Sequence, residues 1–131
     1  MSTLEGFQSR AGRTGREFEI WSINNISKYG SVLGTGVWMG GRLVEVDIEF
    51  EQAYVFAKGG EADRPGLFRT DNTKKCIADV VMLRSLIDKG VIPWKRVVVT
   101  TTAMPNKEDG GRGSQAHFLL GLVDEIIVRG D

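Results

Sequence analysis

Apolar and polar residues alternate most regularly in the middle of the chain. Residues 44–50 read VEVDIEF, so every second side chain is apolar and the intervening ones are acidic. This two-residue period is typical of a strand with one buried face. Tyr54 and Phe56 continue the same phase beyond Gln52. The pattern therefore predicts one strand that is long or bent.

Four other segments have patterns that predict strands. In the first, Phe18 and Ile20 share one phase and Trp21 takes the other, which indicates a bulge or bend. The second ends at Gly40-Gly41, a turn signal between strands. The third is dense in β-branched residues, and the fourth carries its apolar residues in one phase. The four segments are residues 17–24, 31–39, 96–103 and 117–128.

A helix is predicted from about residue 73 to residue 89. Asp71 or Asn72 is placed to cap its N-terminus, and Gly90 stands where a left-handed residue would end it. Apolar residues recur at helical spacing and predict a face that packs on the core. These residues are Cys76, Ile77, Val80, Leu83 and Ile87.

The element order β-β-β-α-β-β predicts one α+β domain over residues 17–131, preceded by a mobile tail at residues 1–16. This order resembles the oligonucleotide/oligosaccharide-binding (OB) fold. The resemblance is architectural and includes no family motif. It implies a mainly antiparallel, barrel-like sheet of five strands, with the one helix between the third and fourth strands.

Composition narrows the classes of function. The 131 residues carry no net charge, which argues against strong non-specific binding to duplex DNA. A single cysteine and no signal peptide favour a reducing, cytoplasmic compartment. The apolar runs are too short for a membrane span. No cofactor motif is present, and His117, the only histidine, has no partner for a zinc set.

Charge is unevenly distributed along the chain. Residues 17–56 hold six acidic residues against two basic ones, whereas the segments 57–75 and 95–113 each have two more basic residues than acidic ones. Basic charge thus gathers in the predicted loops.

The OB resemblance implies a groove in which aromatic rings stack on bases and basic residues follow the backbone. Trp21 and Trp38 are the first candidates for stacking, because each breaks the inward phase of its segment; Tyr54 and Tyr29 come next. The alternative is that all four rings lie in the core or fill a bend. The basic candidates, which would otherwise be solvated surface residues, are Arg64, Arg69, Lys74, Lys75, Lys107 and Arg112.

The acidic residues of the central strand oppose this hypothesis. Four carboxylates on one face, from Glu45, Asp47, Glu49 and Glu51, would repel phosphate. We interpret them as a solvated face or a subunit contact, and we predict no metal site.

Three functions are carried forward. The first is a non-catalytic protein that binds single-stranded nucleic acid, as an accessory to replication, recombination or a mobile element. The second is a homo-oligomeric structural or interaction module of phage or mobile-element type. The third is a small-ligand-binding domain, or an enzyme that uses His117 and the strand carboxylates.

Overall fold

The computed structural model describes residues 17–59, 67, 70–102 and 116–129. The predicted tail at residues 1–16 lies outside these ranges. The described elements, in chain order, are helix α1 (17–25), strands β1 (Val32–Met39), β2 (Val44–Phe50) and β3 (Ala53–Lys58), helix α2 (Thr70–Asp88), strand β4 (Arg96–Thr101), a helical turn (116–121) and strand β5 (Glu125–Val128).

The five strands form one mixed sheet in the order β1-β2-β3-β4-β5. Neighbours from β1 to β3 are antiparallel, and neighbours from β3 to β5 are parallel. The α+β class and the helix between the third and fourth strands are confirmed. The prediction of a mainly antiparallel sheet is wrong, because α2 and the helical turn return the chain between parallel strands. In the described residues β1 and β5 are the two edges of an open sheet, so a closed barrel is not formed.

The segment predicted as the first strand is helical. Phe18, Ser22 and Ile26 follow one another at intervals of four residues, and all three are buried. The middle one is polar, which hides the helical period in the sequence. Ser22 Oγ donates to the carbonyl oxygen of Phe18 at 2.9 Å and lies 2.9 Å from Thr100 Oγ1, so the hydroxyl is satisfied without breaking the packed face.

The predicted long strand is a tight hairpin of two strands, β2 and β3. Glu51 and Gln52 form the turn, and Glu49 pairs with Tyr54 across it. All four residues from Ala53 to Phe56 are buried because β3 is central and both of its faces are covered.

The predicted fifth strand is divided between a helical turn and β5. Leu119 is buried in this turn, whereas Phe118 and Leu120 on either side of it are more than half exposed. A strand with one buried phase would have placed Phe118 and Leu120 together in the core. Only Glu125–Val128 joins the sheet.

The core has two parts, one on each side of the sheet. Helix α2 packs through Cys76, Val80 and Leu83 against one side, as its apolar stripe predicts, and it ends before Gly90 at φ +73°. On the other side, Ile26 and Tyr29 after α1 pack with strand residues that include Val55 and Val98. Because α2 begins at Thr70, the predicted caps Asp71 and Asn72 lie inside its first turn.

No helix in the described part of the chain is long and apolar enough to cross a membrane.

Candidate functional site

Strands β2 and β3 separate from each other at Asp47. Regular pairing is limited to Ile48 with Val55 and Glu49 with Tyr54. Beyond it, the carboxylate of Asp47 accepts a hydrogen bond from the backbone N–H of Ala57 at 2.8 Å. The N–H of Ala57 thus bonds to the side chain of Asp47 and not to the backbone of β2. A gap opens here between β2 and β3.

A cleft of about 320 Å³ occupies this gap. The end of the β1–β2 hairpin forms one wall, and the end of β3 with the first half of α2 forms the other. Three acidic and two basic side chains line it, together with an indole ring. The lining residues are Trp38, Leu43, Val44, Glu45, Asp47, Lys58, Lys75 and Asp79.

Two carboxylates of the cleft, those of Asp79 and Asp47, each have a partner that offsets their negative charge. Lys58 Nζ lies 3.6 Å from an oxygen of Asp79, and both side chains are mostly buried. Burial raises the pKa of Asp47 above its ordinary value of 3.8, against the opposing effects of Lys58 and the N–H of Ala57. Lys75 and Glu45 are exposed at the mouth of the cleft. Carboxylates thus outnumber ammonium groups by one in the described lining, and Lys75 is its exposed cation.

Trp38 is the aromatic group of this cleft. Its side chain is 52% exposed, although Val37 and Met39 on either side pack against the core. It pairs across the hairpin with Glu45. An indole that is held on a strand and is more than half exposed is accessible to a base for stacking.

The other aromatic candidates are placed differently. Trp21 is half-buried on α1, where its ring stacks on Phe18 with centroids 5.5 Å apart and planes 6° apart. Tyr54 is completely buried and donates its hydroxyl to the carbonyl oxygen of Pro93. Tyr29 is 7% exposed and donates to Glu125. The assignment of these two tyrosines as stacking residues is therefore corrected: both belong to the core.

Of the predicted basic residues, Lys74 and Lys75 are exposed on α2, and only Lys75 lines the cleft. The other four lie outside the described residues; they are Arg64, Arg69, Lys107 and Arg112. The chain leaves the described sheet at Gly59, after β3, and at Thr102, after β4. Because these two strands are parallel, the chain leaves both of them at the same end of the sheet, the carboxyl end.

The four acidic residues of the central strand do not form one solvated face. Asp47 is held by Ala57, whereas Glu49 forms a 2.5 Å ion pair with the buried Lys95. Glu45 and Glu51 are exposed. Within residues 17–59, 67, 70–102 and 116–129, no group of three or more acidic, histidine or cysteine side chains is placed to hold a metal ion. Of these four carboxylates, the exposed Glu45 and the half-buried Asp47 line the cleft.

Sequence reasoning missed Lys58, Asp79 and Arg129. Lys58 ends an otherwise apolar strand, which is a detectable signal once β3 is recognised as a separate strand. Asp79 interrupts the helical stripe one turn after Lys75, on the same side of α2. Arg129 follows the last strand, and its guanidinium lies 5.6 Å from the ring centroid of Phe18.

No family model matches the chain, and neither the curated proteins nor the solved structures contain a match to it. The chemistry of the cleft is therefore the basis for a functional proposal.

Proposed function

We propose that this protein binds single-stranded nucleic acid in the cleft between the β1–β2 hairpin and α2. The observation that supports the proposal most strongly is the exposed indole of Trp38 on the same cleft as the ammonium groups of Lys58 and Lys75. Stacking on an aromatic ring together with cationic contacts to phosphates is the general mode of sequence-tolerant binding to single strands. This proposal replaces the barrel groove with a site on an open sheet.

The position of the cleft supports its role as a binding site. In open sheets with parallel strands, ligands bind outside the carboxyl ends of the strands. The cleft adjoins Lys58 at the carboxyl end of β3, and the first turn of α2 reaches the same point, where Asn72 Nδ2 donates to the carbonyl oxygen of Gly59.

Fluorescence anisotropy with a labelled single-stranded oligonucleotide tests the proposal. Stacking of one base is worth about 1–3 kcal/mol, so Trp38→Ala is expected to weaken binding about tenfold. Trp94→Ala is the matched control, because Trp94 is 63% exposed but does not line this cleft. Equal affinities of the wild type and the Trp38→Ala variant at low salt would exclude the site.

The salt dependence of binding tests the cationic part of the site. Each phosphate contact on a single strand contributes about −0.7 to the slope of log K against log salt concentration. Lys75→Ala is expected to make the slope shallower by about that amount, whereas Lys89→Ala, which removes an exposed lysine outside the cleft, leaves it unchanged. A change of slope that is equal in both variants would mean that charge acts only at long range.

A second candidate function is favoured by the environment of Asp47. A carboxyl group whose pKa is raised by burial, next to a lysine in an open cleft, is a recognised mark of acid–base chemistry. In this case Asp47 would accept a proton from a water molecule that attacks the phosphorus of a bound phosphodiester. The bond from phosphorus to the 3′ or 5′ oxygen would break, and Asp47 would return the proton to that leaving oxygen, while Lys58 would stabilise the negative charge that develops on the non-bridging oxygens. Gel analysis of a labelled strand incubated with and without divalent cations tests it. Cleavage that Asp47→Asn abolishes supports catalysis, and an intact strand with either protein refutes it.

A further inference from the structure

A second aromatic group is formed by two residues of α1. The ring of Trp21 stacks in parallel on Phe18, with 5.5 Å between centroids. Phe18 is buried, whereas Trp21 is partly exposed at the surface of α1. The guanidinium group of Arg129 is 5.6 Å from the centroid of the Phe18 ring. The buried ring of Phe18 thus contacts both a partly exposed indole and a guanidinium group.

The backbone links this aromatic pair to the cleft. A Cβ atom on Gly59 would lie 3.0 Å from Cδ2 and Cγ of Phe18, so the backbone of Gly59 lies directly against that ring. Gly59 follows Lys58, which lines the cleft. Helix α1 packs on the sheet face opposite α2, as the hydrogen-bonding distance of 2.9 Å between Ser22 and Thr100 shows for the end of β4. The half-buried residues Lys58 and Gly59 at the carboxyl end of β3 thus connect the aromatic pair to the cleft.

We propose that the Phe18–Trp21 pair is a second stacking site, and that one single strand of nucleic acid occupies both sites by passing over Lys58 and Gly59. This inference rests on the proposed function of the cleft. Arg129 would contact a phosphate at the second site, as Lys75 does at the first. Trp94 is more exposed than Trp21, but it lines a separate cavity with Gln52 and Arg96, so exposure alone does not define the path.

The geometry selects a flexible strand as the ligand. Adjacent strands of a sheet are about 4.8 Å apart, so the step from β3, where Gly59 meets Phe18, to β1, which carries Trp38, is about 10 Å. A mononucleotide is too short to reach both rings. A duplex is too stiff to bend over a sheet edge within a few base pairs, since its persistence length is about 150 base pairs, and its paired bases do not present faces for stacking. A single strand of several nucleotides satisfies both requirements.

The inference predicts different dependence on oligonucleotide length for the two tryptophans. For an oligonucleotide of about 12 nucleotides, Trp21→Ala and Trp38→Ala are each expected to weaken binding about tenfold. For one of about 4 nucleotides, which occupies the cleft alone, only Trp38→Ala is expected to weaken it. Arg129→Gln is expected to weaken binding of the longer oligonucleotide only, and Trp94→Ala is the control that changes neither.

Circular dichroism and thermal melting identify any variant that fails to fold, and Trp21→Phe, which keeps an aromatic ring on Phe18, is the replacement in that case. Trp21→Phe is expected to retain most of the affinity. If Trp21→Ala and Arg129→Gln bind the longer oligonucleotide as tightly as the wild type while Trp38→Ala does not, the second site is refuted and the cleft is retained. If the wild type binds neither oligonucleotide at low salt, the proposed function itself is refuted.

Discussion

Replacing Asp47 separates its two contributions, the hydrogen bond to the backbone and the negative charge. Asp47→Ala removes the acceptor of the Ala57 N–H and leaves that group facing the gap between β2 and β3. A buried donor without a partner costs about 1–3 kcal/mol. Because this N–H is only partly buried, we expect a loss of about 1–2 kcal/mol in the free energy of unfolding.

Asp47→Asn keeps an oxygen acceptor at the same position and removes the charge. The native pKa of Asp47 is raised, chiefly by burial, so the native protein holds this proton to higher pH than the unfolded chain does. The ionised carboxylate therefore costs stability, and that cost appears as the pH rises above the ordinary value of 3.8 through the raised pKa. At pH 7 we expect the asparagine variant to be at least as stable as the wild type.

Urea unfolding of the three proteins from pH 4 to pH 8 measures both effects. The alanine variant should have a lower midpoint throughout with an unchanged m-value, and a melting temperature lower by about 3–4 °C per kcal/mol. The advantage of the asparagine variant over the wild type should grow as the pH rises. If the asparagine variant loses as much stability as the alanine variant at pH 7, the attraction between Asp47 and Lys58 outweighs burial and this reasoning is wrong.

Three other predictions concern the framework around the cleft. Lys95→Met leaves Glu49 without its 2.5 Å partner and is expected to lower the free energy of unfolding in urea by about 2–4 kcal/mol. Adding Glu49→Gln should restore at least half of the lost free energy, and no recovery would contradict the pairing. Gly40→Ala and Gly41→Ala both place a side chain at positive φ, but only the first meets a leucine of α2, at 2.9 Å, so it should lower the melting temperature more; equal losses would contradict that contact. Burial raises the pKa of Cys76 to about 12, so a thiol reagent at pH 8 should label it only after unfolding, and rapid labelling of the native protein would refute its burial.

The strands whose residues follow a simple rule were predictable from the sequence. The segments at β1 and β4 are confirmed, and so is α2 with its apolar stripe and its end before Gly90. Helix α2 buries one continuous apolar stripe, β4 is so rich in β-branched residues that a helix is disfavoured, and the turn at Gly40-Gly41 marks the end of the mostly exposed β1. Propensity and tertiary packing therefore favour the same structure there.

The number of strands was predicted correctly through two compensating errors. Residues 17–25 form a helix that was predicted as a strand, because a buried serine stands in the middle of its packed face, where an apolar period would require a hydrophobic residue. The turn between β2 and β3 contains Glu51 and Gln52, and neither residue has the turn propensity of glycine, proline, asparagine or aspartate. One false strand and one unrecognised hairpin left the total at five.

The topology was missed for a related reason. A helix before β1 and a hairpin between β2 and β3 define an open sheet with parallel strands after α2, and both features were hidden by local sequence.

The candidate site was predicted in part: Trp38 and Lys75 lie together on the cleft, whereas Tyr54 and Tyr29 are buried. Their burial depends on α1 and on the coverage of both faces of β3, which a strand-by-strand analysis does not include.

The most direct test of the central claim is the fluorescence of Trp38 in a protein where it is the only tryptophan. The chain has three tryptophans, so Trp21→Phe combined with Trp94→Phe leaves one reporter and keeps an aromatic ring at the other two positions. Titration with a single-stranded oligonucleotide at low salt is predicted to quench the Trp38 emission in a saturable way that added salt reverses, because a base stacks on the exposed indole. Unchanged emission while anisotropy reports binding would show that the strand binds elsewhere and that the cleft is not the nucleic-acid site.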